Sequence, residues 1–145
     1  MQLQRATPKN LFKPLIILIF GISIGHFLPM GILVIPVTIS LITGIIIFVD
    51  NGFNILIKSV LCYLFIGLND IGIKLFAGGI HDMEGIGWIH MLLFIGLVPS
   101  FIILLTKVLR DKSSTNWMKA ISILIFILLI FIHLQIFETL GVHTS

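Results

Sequence analysis

The chain has 145 residues, of which 58% are hydrophobic and only 10% are charged, so it cannot give a soluble domain the polar surface that water requires. Its formal net charge of +3 comes from basic residues scattered at the ends of apolar runs, which excludes the clustered basic patch typical of nucleic-acid binding. These numbers predict one transmembrane domain, residues 1–145, surrounded by a lipid bilayer.

Five apolar runs predict five transmembrane helices, because each run is close to the roughly 20 residues that cross a hydrocarbon core of about 30 Å. The predicted spans are 11–28, 31–49, 53–76, 88–108 and 117–137. The first run follows a basic leader, as a signal peptide does, but a cleavage motif drawn from Gly21, Ser23 and Gly25 is weak. We therefore interpret it as a retained helix, and the expected fold class is an all-α integral membrane bundle.

Proline and glycine mark the places where these helices are expected to bend or end. Pro36 and Pro99 lie inside the second and fourth runs and predict kinks there. The segment Gly78–Gly87 reads GGIHDMEGIG and is the longest polar, glycine-rich connection between two apolar runs. It is therefore the only connection with room for a binding site.

Basic residues predict the orientation of the bundle through the positive-inside rule. One side of the predicted topology holds Arg5, Lys9, Lys13, Lys58, Lys107, Arg110, Lys112 and Lys119. The other side holds only Lys74, so we expect a cytoplasmic N-terminus and an outer C-terminus. Lys58 is expected to snorkel to the cytoplasmic surface and has no assigned role. The expected location is the cytoplasmic (inner) membrane of a bacterium.

All five histidines fall on the outer side of this topology, although only Lys and Arg were used to build it. Neutral imidazole and carboxylate groups are ligands of divalent metals and of haem iron. The candidate ligands are His26, His81, Asp82, Glu84, His90 and His133. The competing interpretation is that these side chains are interfacial groups bonded to backbone or water, since their spacing matches no established metal motif.

Asn69 and Asp70 form a second candidate site at the outer end of the third run. If the helix ends at Leu68, they are simply a solvated terminus, and we favour this alternative. If the helix runs to Phe76, Asp70 is partly buried and Lys74, four residues on, is its natural partner. In that case the carboxylate and amide would lie on an ion or proton path.

Small residues predict where helices approach closely. Gly21 and Gly25 form a G-x-x-x-G pair on the first helix, and Gly96 with Ser100 forms a looser version on the fourth. We expect the first and fourth helices to be central.

Three functional hypotheses follow. The leading one is an accessory or structural subunit that packs against another membrane protein or a second copy of itself, because the extramembrane segments are too small to form a domain. The first alternative is a metal- or haem-binding protein that uses the outer histidines and carboxylates. The second is a small oligomeric transporter or channel with Asp70 on the ion path. No catalytic residue is identified, so enzymatic activity stays an open question.

Overall fold

The computed structural model describes residues 11–28, 30–49, 52–77 and 83–142. Every regular element in these ranges is a helix, which confirms the all-helical class. The α-helices are α1 (Phe12–Phe27), α2 (Ile35–Phe48), α3 (Ile55–Phe76), α4 (Met83–Arg110) and α5 (Asn116–Ile136). A 3₁₀ turn at Gly31–Val34 leads into α2.

Four helical segments are long and apolar enough to cross a bilayer, and they indicate an integral membrane protein. These segments are Gly31–Phe48, Ile55–Phe76, Met83–Arg110 and Asn116–Ile136. The helix α1 is equally apolar, but its 16 residues are fewer than a straight span needs. The outward-facing side chains of the bundle are largely apolar, which suits contact with lipid.

Local sequence explains most of the helix boundaries. The side chains of Asn54 and Thr115 cap α3 and α5 by accepting hydrogen bonds from backbone N–H groups three residues later. Pro36 lies in the first turn of α2, where its missing N–H costs nothing, so a helix start replaces the expected bend. By contrast, Pro99 lies within α4, and the helix continues past it to Arg110.

The helix α4 begins at Met83 rather than at the predicted Trp88. Glu84 is therefore in the first turn of the helix, where the positive end of the helix dipole stabilises a carboxylate. The second half of the predicted GGIHDMEGIG connection is thus helical, while residues 78–82 lie outside the described ranges.

The centre of the bundle is formed by α2 and α3, not by the first and fourth helices. The helix α3 packs against all four other helices, and α2 packs against α1, α3 and α4. The helix α1 covers one side of this pair and buries only Pro14, Leu18, Gly21 and Gly25. The helix α4 packs mainly on α2 and α5 packs mainly on α3, so α4 and α5 touch each other little.

Glycines allow these helices to approach closely. A Cβ atom at Gly21 would lie 2.8 Å from the Thr38 side chain of α2, and one at Gly25 would lie 2.6 Å from Ile73 of α3. A Cβ atom at Gly96 would lie 2.7 Å from the Cα atom of Pro36, so α2 and α4 meet there backbone to backbone. Ser100, one turn along α4, is buried and donates a hydrogen bond to the Gly96 carbonyl at 2.8 Å.

The two ends of the bundle differ in their polar residues. We call the end where α1, α3 and α5 finish and α4 begins the histidine end, because it carries His26, His90 and His133. We call the opposite end, which carries Lys58, the lysine end.

Lys58 is buried and does not simply extend to the surface as expected. Its Nζ atom donates to the carbonyl oxygens of Ile47 at 3.2 Å and Val49 at 3.4 Å. These carbonyls belong to the C-terminus of α2, where backbone acceptors have no intrahelical partner and the helix dipole is negative. The side chain therefore caps a neighbouring helix.

Candidate functional site

Asn69 and Asp70 lie inside α3, because the helix continues to Phe76. No proline or glycine pair interrupts the chain before Gly78, and apolar residues between the polar ones keep the helix packed in the bundle. Each of the two side chains is only 1% exposed. The favoured alternative, a solvated terminus after Leu68, is therefore wrong, and the buried alternative is correct.

Asp70 is the centre of what we call the buried ionic group, which consists of Asp70, Lys74 and His133. The Oδ2 atom of Asp70 lies 2.7 Å from Lys74 Nζ and 2.9 Å from His133 Nε2. Lys74 is 0% exposed and His133 is 2% exposed. Lys74 Nζ also donates to the backbone carbonyl of Phe137 at 2.8 Å, so the group joins α3 to α5 and to the segment that follows α5.

The helix α3 presents this group because residues three and four apart share a helix face. Gly67 precedes Asp70 by three residues, and a Cβ atom there would lie 3.2 Å from His133 Nδ1. The absence of a side chain at Gly67 therefore leaves the space that the His133 ring occupies. Tyr63 and Phe137 flank the ring, with centroid distances of 6.0 Å and 4.8 Å, and hold its orientation.

The segment Phe137–Val142 covers the group at the histidine end. Gly141 has a φ of +86°, which favours glycine, and a Cβ atom at this position would lie 2.4 Å from the Lys74 carbonyl oxygen. Val142 packs against the apolar cluster that contains Ile73 and Ala77. The chain after α5 thus excludes solvent from Lys74.

The electrostatics of the buried ionic group depend on one proton. With a neutral imidazole, the Asp70 carboxylate and the Lys74 ammonium cancel, and the group carries no net charge. A proton added to His133 or Asp70 leaves a net charge of +1 inside the bundle, where water cannot screen it. His133 Nε2 and Asp70 Oδ2 lie 2.9 Å apart and share one hydrogen bond.

Further polar atoms at this depth have no hydrogen-bond partner within the described residues. They are Asp70 Oδ1, His90 Nε2 and both polar side-chain atoms of Asn69. His90 of α4 lies within electrostatic range of Asp70, Lys74 and His133.

The predicted metal ligands are only partly brought together. His133 contacts Asp70 at 2.9 Å and His90 lies within electrostatic range of it, whereas His26 is exposed and hydrogen-bonds to the Phe76 carbonyl. Glu84 is exposed in the first turn of α4. His81 and Asp82 lie outside the described residues. Across the described ranges, no three His, Cys, Asp or Glu side chains form a group that could hold a metal ion.

Lys74 contacts the Oδ2 atom of Asp70, whereas Oδ1 has no hydrogen-bond partner within the described residues. Its ammonium neutralises the carboxylate at 2.7 Å, so a divalent cation at Asp70 would have to overcome direct repulsion.

The lysine end holds a different kind of polar group. Asp111, in the connection between α4 and α5, accepts hydrogen bonds from the hydroxyls of Ser114 and Ser113 and from the Ser113 backbone N–H. The Ser114 hydrogen bond, followed by those of Ser113, lowers the pKa of this carboxyl below its ordinary value. These contacts are local and shape a turn.

No protein-family model, curated protein or solved structure matches this chain at a significant level. The site is therefore described by its own residues: one carboxylate is shared by an ammonium and an imidazole inside an apolar bundle.

Proposed function

We propose that this protein is a small proton transporter of the bacterial cytoplasmic (inner) membrane, with Asp70 and His133 as its proton-binding residues. The observation that carries the proposal is the position of Asp70, which is 1% exposed and accepts hydrogen bonds from both Lys74 and His133. Ionisable side chains within membrane spans are rare and typically lie on ion or proton pathways.

A purely structural role explains the buried ionic group less well. A buried ion pair is often no more stabilising than apolar side chains of similar volume, because desolvation cancels much of the attraction. A bundle that needed only stability would be served by leucine at these positions.

The proposed topology has five spans, with α1 as the first, a cytoplasmic N-terminus and an outer C-terminus. In this orientation the histidine end faces outward, and the lysine end carries the basic residues of the loops. Lys74 is the one basic residue on the outer side of this topology, and it is buried in the bundle rather than placed in a loop. Protons would thus reach the buried ionic group from the outer side.

The test is proton flux into liposomes that contain the purified full-length protein and a pH-sensitive dye. With an inward proton gradient and a potassium leak to balance charge, wild-type protein should acidify the lumen faster than protein-free liposomes. Asp70→Asn and His133→Gln should abolish the difference, because each removes a proton-binding group while keeping a similar side-chain volume. Glu84→Gln removes an exposed carboxylate at the same end and should leave the flux unchanged.

Equal acidification of protein-containing and empty liposomes would contradict the proposal. Wild-type flux in folded Asp70→Asn protein would show that the buried ionic group is not on the path. Either result would favour the alternative of an accessory subunit that packs against another membrane protein or itself, for which these side chains are dispensable.

A further inference from the structure

A cleft opens between α4 and α5, because each of these helices packs on a different central helix and they touch each other little. Its part nearest the histidine end has a volume of about 410 Å³. The residues that line this part are His90, Phe94, Phe131, Leu134, Gln135 and Glu138. We call it, with its continuation, the α4–α5 cleft.

The cleft continues toward the lysine end as an apolar channel of about 310 Å³. Phe131 and Leu134 line both parts, so the two are continuous. The walls of this second part are hydrophobic, and Phe101 and Phe126 stack there with a centroid distance of 6.3 Å. This region suits an apolar or aromatic body rather than a polar ligand.

The polar groups of the cleft are confined to the mouth at the histidine end. Glu138 is exposed there and supplies a carboxylate, beside the Gln135 amide and the His90 imidazole. No Lys or Arg is found among the described residues that line either part. The mouth is therefore complementary to a positive charge and repels an anionic headgroup.

Aromatic rings strengthen this preference. Phe94 and Phe131 line the mouth together with the carboxylate, and a cation over an aromatic face is attracted by the ring quadrupole. A molecule with one positive charge and a hydrophobic body would place the charge near Glu138 and the body in the apolar channel. A neutral lipid tail would fill the channel but would make no use of the carboxylate.

We propose that the α4–α5 cleft is a binding site for amphipathic organic cations, with Glu138 as the counter-charge and Phe131 as an aromatic wall. The site is separate from the buried ionic group, and binding to it does not require proton transport. Failure of the proposed transport function would therefore leave this inference in place, and the reverse is also true.

The test is equilibrium binding of radiolabelled tetraphenylphosphonium to the full-length protein in detergent. Tetraphenylborate, an anion of nearly the same shape, is the matched probe. We expect saturable binding of the cation and at least about tenfold weaker binding of the anion, since only the sign of the charge differs.

Two pairs of variants connect the binding to the cleft. Glu138→Gln should weaken cation binding about tenfold, whereas Glu84→Gln, which removes an exposed carboxylate outside the cleft, should not change it. Phe131→Ala should weaken binding, whereas Phe20→Ala, on the lipid-facing surface of α1, should not. Asp70→Leu combined with Lys74→Met removes the buried ion pair without changing the net charge and should keep cation binding, which separates this site from the proton site.

Equal affinity for the cation and the anion, or unchanged cation binding by folded Glu138→Gln protein, would overturn the inference. Co-purified phospholipid that occupies the cleft and excludes the cation at all concentrations would also overturn it. In that case the cleft would be a site for a lipid tail only.

Discussion

Lys58 and Lys74 lie near opposite ends of α3, and both are almost fully buried, with 8% and 0% exposure. Lys58 donates to two backbone carbonyls at the end of α2. Lys74 instead pairs with Asp70 at 2.7 Å and donates to the Phe137 carbonyl. The same residue type is thus accommodated in two different ways within one helix.

The comparison shows that a buried ammonium group takes different partners in different surroundings. At the lysine end, the C-terminus of α2 offers carbonyl acceptors, and the long Lys58 side chain reaches them. At the histidine end, Lys74 is closed in by the segment after α5, and a carboxylate is needed to balance it. The first arrangement resembles a helix cap, and the second is an ion pair that also contacts an imidazole.

The largest expected effect comes from removing the shared carboxylate. Asp70→Ala leaves Lys74 and His133 without their common acceptor, and we expect a loss of about 3–5 kcal/mol in the free energy of unfolding. Lys58→Met removes hydrogen bonds to carbonyls at a helix end, and about 1 kcal/mol should be lost. Unfolding of the purified protein by increasing SDS in mixed micelles measures both.

A second variant separates charge balance from side-chain packing in this prediction. Asp70→Leu combined with Lys74→Met replaces the ion pair by apolar side chains, and most of the lost stability should return. If Asp70→Ala and Lys58→Met cost the same, the proposed contrast between the two ends would not hold.

An intermediate effect is expected at the segment that covers Lys74. Gly141→Ala places a Cβ on a residue with a φ of +86° and against the Lys74 carbonyl, so about 1–2 kcal/mol should be lost. The matched control is Gly44→Ala in α2, where a Cβ meets no atom within 4 Å. That change should stabilise the protein by roughly 0.5–1 kcal/mol, because alanine favours the helix.

Hydrogen exchange followed by mass spectrometry locates the effect. Faster exchange at the end of α3 in Gly141→Ala would show that the covering segment has loosened. Unchanged stability and unchanged exchange would mean that this segment does not protect Lys74.

The smallest effect concerns Asp111, whose pKa is lowered by the hydrogen bonds from Ser114 and Ser113. A carboxyl with a lowered folded-state pKa contributes stability above its unfolded pKa of about 3.9, and this contribution is lost as the pH falls through the folded value. Ser114→Ala should therefore reduce the stability slightly at neutral pH and less at acidic pH. Thermal unfolding between neutral and acidic pH measures the difference, and an equal shift at every pH would rule out the charge effect.

Sequence reasoning predicted the helical class well, because long apolar runs leave the chain few alternatives in lipid. It also identified Lys74 as the partner of Asp70, since four residues form one helical turn. The predicted span 53–76 ends where α3 ends, but a solvated terminus was favoured for Asn69 and Asp70, because polar residues near a boundary resemble one. Their spacing at 69, 70 and 74 with Ile66 and Ile73 places them on one buried face, which was the available signal.

The contact between His133 and Asp70 could not be predicted from the sequence. The two residues are 63 positions apart, and no local pattern says which helices become neighbours. Gly67 offers a partial signal, since a glycine one turn before a membrane carboxylate leaves space for a large side chain from another helix. The cleft between α4 and α5 could not be predicted either, because it results from helix packing and each of its walls has the sequence of an ordinary apolar helix.

The pairing of Asp70 with Lys74 inside a single helix has a consequence for how the chain is made. The ribosome delivers α3 to the membrane before α5 exists, so the carboxylate must be tolerated there without His133. Because its counter-ion is one turn away on the same helix, α3 can enter the bilayer already neutral. The arrival of α5 then adds the imidazole to a charge pair that is already in place, and completes the buried ionic group.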